Sequence, residues 1–150
     1  MSPVTTRVRV RYSETDQMGV VYHANYLVWM EVARVDYCRA NGFRYKDLER
    51  DHGILLAVTA VDCRYLSPAR YDDEVEISTV VTRAHHRAMT FAYEMRSVPE
   101  NGEASRILAT GSSNHIFLNR ELRPTALPPQ FRPMLGIFPE KPGIFPENGK

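Results

Sequence analysis

Hydrophobic and polar positions alternate with a period of two at the start of the chain. From Val4 to Tyr12 the apolar Val8, Val10 and Tyr12 are interleaved with Arg7, Arg9 and Arg11, which predicts a strand with one solvated face. The polar stretch from Ser13 to Gly19 reads as a loop. The next segment, Tyr22 to Asn41, contains neither Pro nor Gly and stops at Gly42, so it predicts one long helix. Tyr22, Tyr26, Trp29, Met30, Ala33 and Tyr37 form one stripe of it, while Leu27, Val28, Val32, Val35 and Cys38 cover much of the rest. A helix apolar on nearly all sides must be wrapped by other structure. Lys46 to His52 predicts a short helical turn before Gly53.

Beyond Gly53 the period returns to two. Ile54 to Tyr65 is rich in apolar and β-branched residues, and Val75, Ile77, Thr79 and Val81 alternate with Glu74, Glu76 and Ser78. Met89, Phe91, Tyr93 and Met95 then alternate with Ala88, Thr90, Ala92 and Glu94, Asn101-Gly102 gives a hairpin signal, and Ser105 to Leu118 is the last long strand. Strand, buried helix, then four strands on short connections predict an α+β fold, an antiparallel sheet curled around one helix. So short a sheet cannot hide the whole helix, which predicts a second subunit.

A chain of 150 residues is the size of one domain, and such a domain buries roughly two thirds of its unfolded surface. Net charge is +1 with Lys and Arg dispersed, which argues against a nucleic-acid groove or an anionic membrane surface as partner. Cys38 and Cys63 lie in apolar segments and form no C-x-x-C pair, as expected of thiols in a reducing compartment. With no apolar run of about 18 residues and no signal-peptide pattern, the expectation is a cytoplasmic protein without a membrane span. The segment from 124 to 150 holds seven of the ten prolines and repeats G-I-F-P-E at Gly136 and Gly143, so the domain is placed at 1–123 with a proline-rich tail after it. That tail is either extended chain, disordered or draped over the dimer, or a docking segment that buries Phe138 and Phe145 in a partner.

The chain lacks a G-x-S-x-G elbow, a phosphate-binding G-x-x-x-x-G-K, an H-E-x-x-H and any zinc spacing of Cys and His. His85 and His86, which as strand neighbours would point to opposite faces, make poor joint metal ligands and are expected as solvated loop histidines. What remains is the stretch from Tyr12 to Tyr26, which puts Asp16 a few residues before a helix start whose free amides can hold an anion or a carbonyl oxygen. Two readings stand: Asp16 and those amides flank one reacting carbon, or Asp16 only turns the chain and Asn25 caps the helix.

The run D-x-x-G-V-V-Y-H-A-N-Y from Asp16 to Tyr26, followed by a long apolar helix, resembles the 4-hydroxybenzoyl-CoA thioesterase family. Tyr22-His23 is most similar to its Tol-Pal-associated acyl-CoA thioesterase branch, and Tyr65-Leu-Ser-Pro-Ala-Arg-Tyr-Asp-Asp73 resembles that family's link between two strands. The resemblance, covering about Val8 to Leu118, implies a hotdog fold, dimers or tetramers with active sites at the subunit interface, and an acyl-CoA substrate. It implies that Asp16 is the catalytic carboxylate, that the His23 amide polarises the carbonyl, and that the Tyr12 and His23 side chains stand beside Asp16. Another thioesterase lineage uses a helix glutamate; with Asp16 present, Glu31 is expected as a buried or interface charge.

Thioester hydrolysis needs an attacking group and a stabiliser for the oxyanion, and no metal or organic cofactor, CoA being part of the substrate. Gly19, Val21, Tyr22, Tyr26 and Trp29 are the expected substrate contacts, with Met30 and Ala33 also shaping the acyl pocket, unless Tyr26, Trp29, Met30 and Ala33 are simply core. Arg83 and Arg87 are the candidates for the CoA phosphates. Two rival readings are a thioesterase acting on acyl carrier protein and a non-catalytic acyl-binding or scaffolding subunit.

Overall fold

A computed structural model describes residues 2–137 of the chain. Its strands and α-helices run in the order β1 (Val4–Arg9), α1 (Asn25–Ala40), α2 (Tyr45–His52), β2 (Leu55–Tyr65), β3 (Glu74–Ala84), β4 (Ala88–Ser97) and β5 (Ile107–Leu118). Neighbouring strands are antiparallel and lie side by side as β1-β3-β4-β5-β2, so β1 and β2 are the edges. With α1 in the hollow of this sheet, the fold is the expected α+β hotdog.

The period-two pattern decides which residues face α1. In β4 Met89, Phe91, Tyr93 and Met95 are buried and the residues between them are half-buried; each large apolar side chain so removed from water contributes about 1.5–3 kcal/mol. Helix α1 crosses the whole sheet. Thr6 of β1 donates to Asp36 at 2.9 Å, Tyr37 meets Phe91 edge-on, and Tyr26 meets Tyr65 at the end of β2 with ring centroids 5.1 Å apart. A β-carbon on Gly111 of β5 would collide with Met30 and the Asp62 carbonyl, so only glycine lets the helix approach this closely.

The predicted elements recur with two differences. Helix α1 begins at Asn25 rather than Tyr22, because the Tyr22 N–H goes to Glu14 O and the Asn25 N–H to Tyr22 O, which makes a turn of residues 22–24. No Pro or Gly marks that change. Tyr12 leaves the strand pattern, since β1 ends at Arg9 and Tyr12 starts a 3-10 turn, 77 % exposed. His85 and His86 lie in the β3–β4 turn, as expected of loop histidines, with ring centroids 4.2 Å apart.

Tyr26, Trp29, Met30, Ala33, Tyr37 and Cys38 are buried, but Leu27, Val28 and Val32 on the other side of α1 are exposed in the single chain, as are Val58 and Val61 of β2. The described part of the proline-rich segment packs on its own domain. The Leu127 N–H donates to His86 O at 2.7 Å, Phe131 rests on Phe43 and His52, and Leu127, Leu135 and Ile137 are buried. Phe138, Phe145 and the second G-I-F-P-E lie outside the described residues. Among the described residues no helix is long and apolar enough to cross a membrane.

Candidate active site

The loop before α1 is closed by its own backbone. The Asp16 N–H donates to Val20 O at 2.9 Å, the Gly19 N–H returns to Asp16 O at 3.0 Å, and the Met18 N–H donates to Asp16 Oδ1 at 2.9 Å. Gly19 adopts φ +77°, where a residue with a β-carbon is strained by about 1–2 kcal/mol. Asp16 is half-buried, and among the described residues its Oδ2 has no partner. One carboxylate oxygen anchors the loop and the other is free to react.

At the helix start the amides behave as the first turn of a helix requires. Asn25 donates to Tyr22 O and Leu27 to Ala24 O, whereas the His23 and Ala24 N–H groups have no acceptor among the described residues. Asp16 and His23 line one cavity of about 320 Å³, with Val21, Tyr26, Tyr65 and Leu66 as its apolar walls and Ser67-Pro68 at its edge. A carboxylate with one unpartnered oxygen and a residue with an unaccepted backbone N–H therefore line the same cavity. The segment from Tyr65 to Asp73 closes the site: Ala69 O accepts the Val21 N–H at 2.8 Å, and Tyr71 packs edge-on against Tyr12.

The other predicted residues divide. Tyr12 and Gly19 line a separate, shallow hollow on the far side of Asp16, together with Tyr71. Tyr22 is 48 % exposed with its ring against His23, centroids 4.5 Å apart. Trp29 lies beneath the loop, its indole N–H given to Glu14 Oε2 at 2.8 Å. Arg83 and Arg87 sit at the opposite end of the sheet, since β3 starts beside the Asp16 loop and Arg83 is its tenth residue, roughly 30 Å along a strand. Glu31, expected as buried or interfacial, is exposed in the single chain and lines a different hollow with Arg34 and Tyr45. Among the described residues no three His, Cys, Asp or Glu side chains converge as a metal site would need.

Two residues escaped the sequence reading. Glu14 is a buried carboxylate under the loop, and Tyr65 donates its hydroxyl to His23 O at 2.9 Å. A buried Trp needs an acceptor for its N–H, and that requirement was the available signal for Glu14.

The fold and the site together define a thioester hydrolase of the hotdog type. The chain belongs to the thioesterase-like superfamily, whose family model matches residues 10–135. It is 35 % identical to YneP of Bacillus subtilis over 83 % of this chain and 84 % of that one. It is 37 % identical to the acyl-CoA thioester hydrolase YbgC of Escherichia coli over 56 % of this chain and 62 % of that one. Among solved structures, the DHNA-CoA thioesterase of Staphylococcus aureus superposes with a TM-score of 0.77 at 35 % identity, covering 84 % of this chain and 81 % of that one.

Proposed function

We propose that this chain hydrolyses acyl-CoA thioesters to the free acid and CoA, with Asp16 as nucleophile or general base and the His23 amide as oxyanion donor. The observation that carries the reading is that Asp16, whose Oδ2 has no partner among the described residues, and His23, whose N–H has no acceptor there, line one cavity. If Asp16 attacks, a mixed anhydride forms as the CoA thiolate leaves and is protonated, and water then cleaves the anhydride. If Asp16 is the base, it takes a proton from water as that water attacks, a role typically worth about 10²–10⁴ in rate. In either case the amide stabilises the oxyanion by about 3 kcal/mol. Neither route calls on a metal.

Tyr26 and Leu66 wall the acyl chain in this reading, and Tyr22-His23 supports membership of the Tol-Pal-associated branch. The exposed Leu27, Val28 and Val32 of α1, with the free edge of β2, support a second copy that completes the acyl channel. In such a dimer Arg83 and Arg87 hold the CoA phosphates of a substrate at the other copy's Asp16, with Tyr12 flanking that carboxylate. The test is hydrolysis over a series of acyl-CoA chain lengths and aryl-CoAs, beside loaded acyl carrier protein, for wild type and Asp16→Asn. CoA thioesters hydrolysed at least about 10²-fold faster by wild type support the reading. Activity confined to carrier protein, or acyl binding without turnover, overturns it.

A further inference from the structure

Glu14 is 5 % exposed although it carries a carboxylate. Burial of such a group is unfavourable unless its oxygens are satisfied, and here both are. Oε1 accepts the Arg11 N–H at 2.8 Å and lies 3.4 Å from Arg11 Nε, and Oε2 accepts the Trp29 indole N–H at 2.8 Å. The residue's own carbonyl accepts two more bonds, from the Tyr22 N–H and from Asn25 Nδ2, each at 2.8 Å.

Those partners bracket the site. Asp16 follows Glu14 by two residues, His23 follows Tyr22 by one, and Trp29 projects from the body of α1. We infer that Glu14 is a positioning residue: through its side chain it fixes the loop to the helix, through its carbonyl it fixes the turn before the helix, and together these set the spacing between Asp16 Oδ2 and the His23 N–H. The inference rests on the thioesterase reading above and assigns no contact between Glu14 and substrate. A small misplacement of reacting groups reduces turnover by up to about 10²-fold while leaving remote substrate contacts intact.

Glu14→Gln tests this, because the amide has the same shape but presents an N–H₂ where the protein already aims a donor, either the Arg11 N–H or the Trp29 indole. Trp29 is the only tryptophan, so its emission reports the contact directly. The expected result is a folded protein with shifted Trp29 emission, kcat lowered about 10- to 100-fold and KM within about threefold. Trp29→Phe removes the donor from the other side and should lower kcat with KM held. The double variant should be no worse than the worse single one, since both break one contact. A kcat for Glu14→Gln within twofold of wild type, a loss carried wholly by KM, or fully additive losses would overturn the assignment. If Glu14→Gln does not fold, Trp29→Phe decides alone by the same split. Should wild type hydrolyse no thioester at all, the functional reading fails separately. Hydrogen exchange then judges Glu14: faster exchange of the Asp16 and Tyr22 amides in Glu14→Gln supports the clamp, and unchanged exchange overturns it.

Discussion

Tyr65 donates its hydroxyl to the carbonyl of His23 across 2.9 Å, joining the last residue of β2 to the turn that opens α1. Burial, aided by the neighbouring Cys63, pushes this hydroxyl up to about 12, so it stays a donor through the neutral range. Tyr65→Phe removes one hydrogen bond, worth about 1 kcal/mol, and keeps the ring against Tyr26. The expected outcome is a roughly fivefold lower kcat with a melting temperature about 2–4 °C below wild type, read by steady-state kinetics and calorimetry.

The His23 backbone and side chain are separable. His23 is the second residue of the Tyr22–Asn25 turn, a position where proline fits. His23→Ala keeps the amide and should lower kcat by less than about tenfold. His23→Pro deletes the N–H along with the imidazole and should lower kcat by about 10²–10³. Equal losses in the two variants would assign the effect to the imidazole instead.

Asp16→Asn should fold normally, because the amide oxygen can still accept the Met18 N–H that anchors the loop. Its turnover should fall at least about 10²-fold, while Glu31→Gln, in a different hollow, stays far closer to wild type. One turnover in heavy-oxygen water with enzyme in excess separates the two routes: label in Asp16 marks an anhydride, and label only in the acid marks direct attack by water.

His115 is 1 % exposed, bonded through Nε2 to Ser113, and its Nδ1 has no partner. Burial, then the nearby Arg34, lowers it from 6.5 to about 4. The unfolded chain therefore takes up a proton below pH 6.5 that the folded one refuses until about pH 4, and stability falls as pH falls through that window. At about 1.4 kcal/mol per pH unit the loss is about 3 kcal/mol. Urea unfolding of wild type and His115→Leu at pH 7 and pH 4.5 should show the variant with the smaller decline.

Gly111→Ala should lower stability by about 1–3 kcal/mol, a fall of roughly 3–10 °C in melting temperature, because the new methyl meets Met30 and the Asp62 carbonyl. In a Met30→Ala background, itself about 2–5 kcal/mol less stable, the added cost of Gly111→Ala should be smaller. Independent effects of the two changes would mean that the contact is not what limits the helix.

The strands were legible because one face of each is buried: Met89, Phe91, Tyr93 and Met95 announce β4 by alternation alone. The stripe of α1 was equally legible, and Tyr26 to Cys38 are buried where it predicts. Asp16 and His23 came from the motif, and the structure places them at one cavity. The start of α1 was hidden because hydrogen bonds accepted by the Glu14 and Tyr22 carbonyls, not a breaking residue, decide it. Trp29 was read as an acyl contact because an aromatic on an apolar stripe looks the same whether it faces a ligand or a buried carboxylate fifteen residues away. Pairings at such separation leave no periodicity to detect.

Carboxylate, loop glycine and free amide all fall between Asp16 and His23, while part of the cavity wall comes from Tyr65 to Pro68, some forty residues on. On the proposed mechanism, reactivity and acyl selectivity are written in different parts of the gene. Substitutions of the Leu66 side chain, which makes none of the hydrogen bonds that tie this segment to the site, would then re-tailor which acyl group is accepted while Tyr65 and Ala69 hold the reacting pair. A lineage with this layout can change diet by drift in one short segment and keep its chemistry throughout.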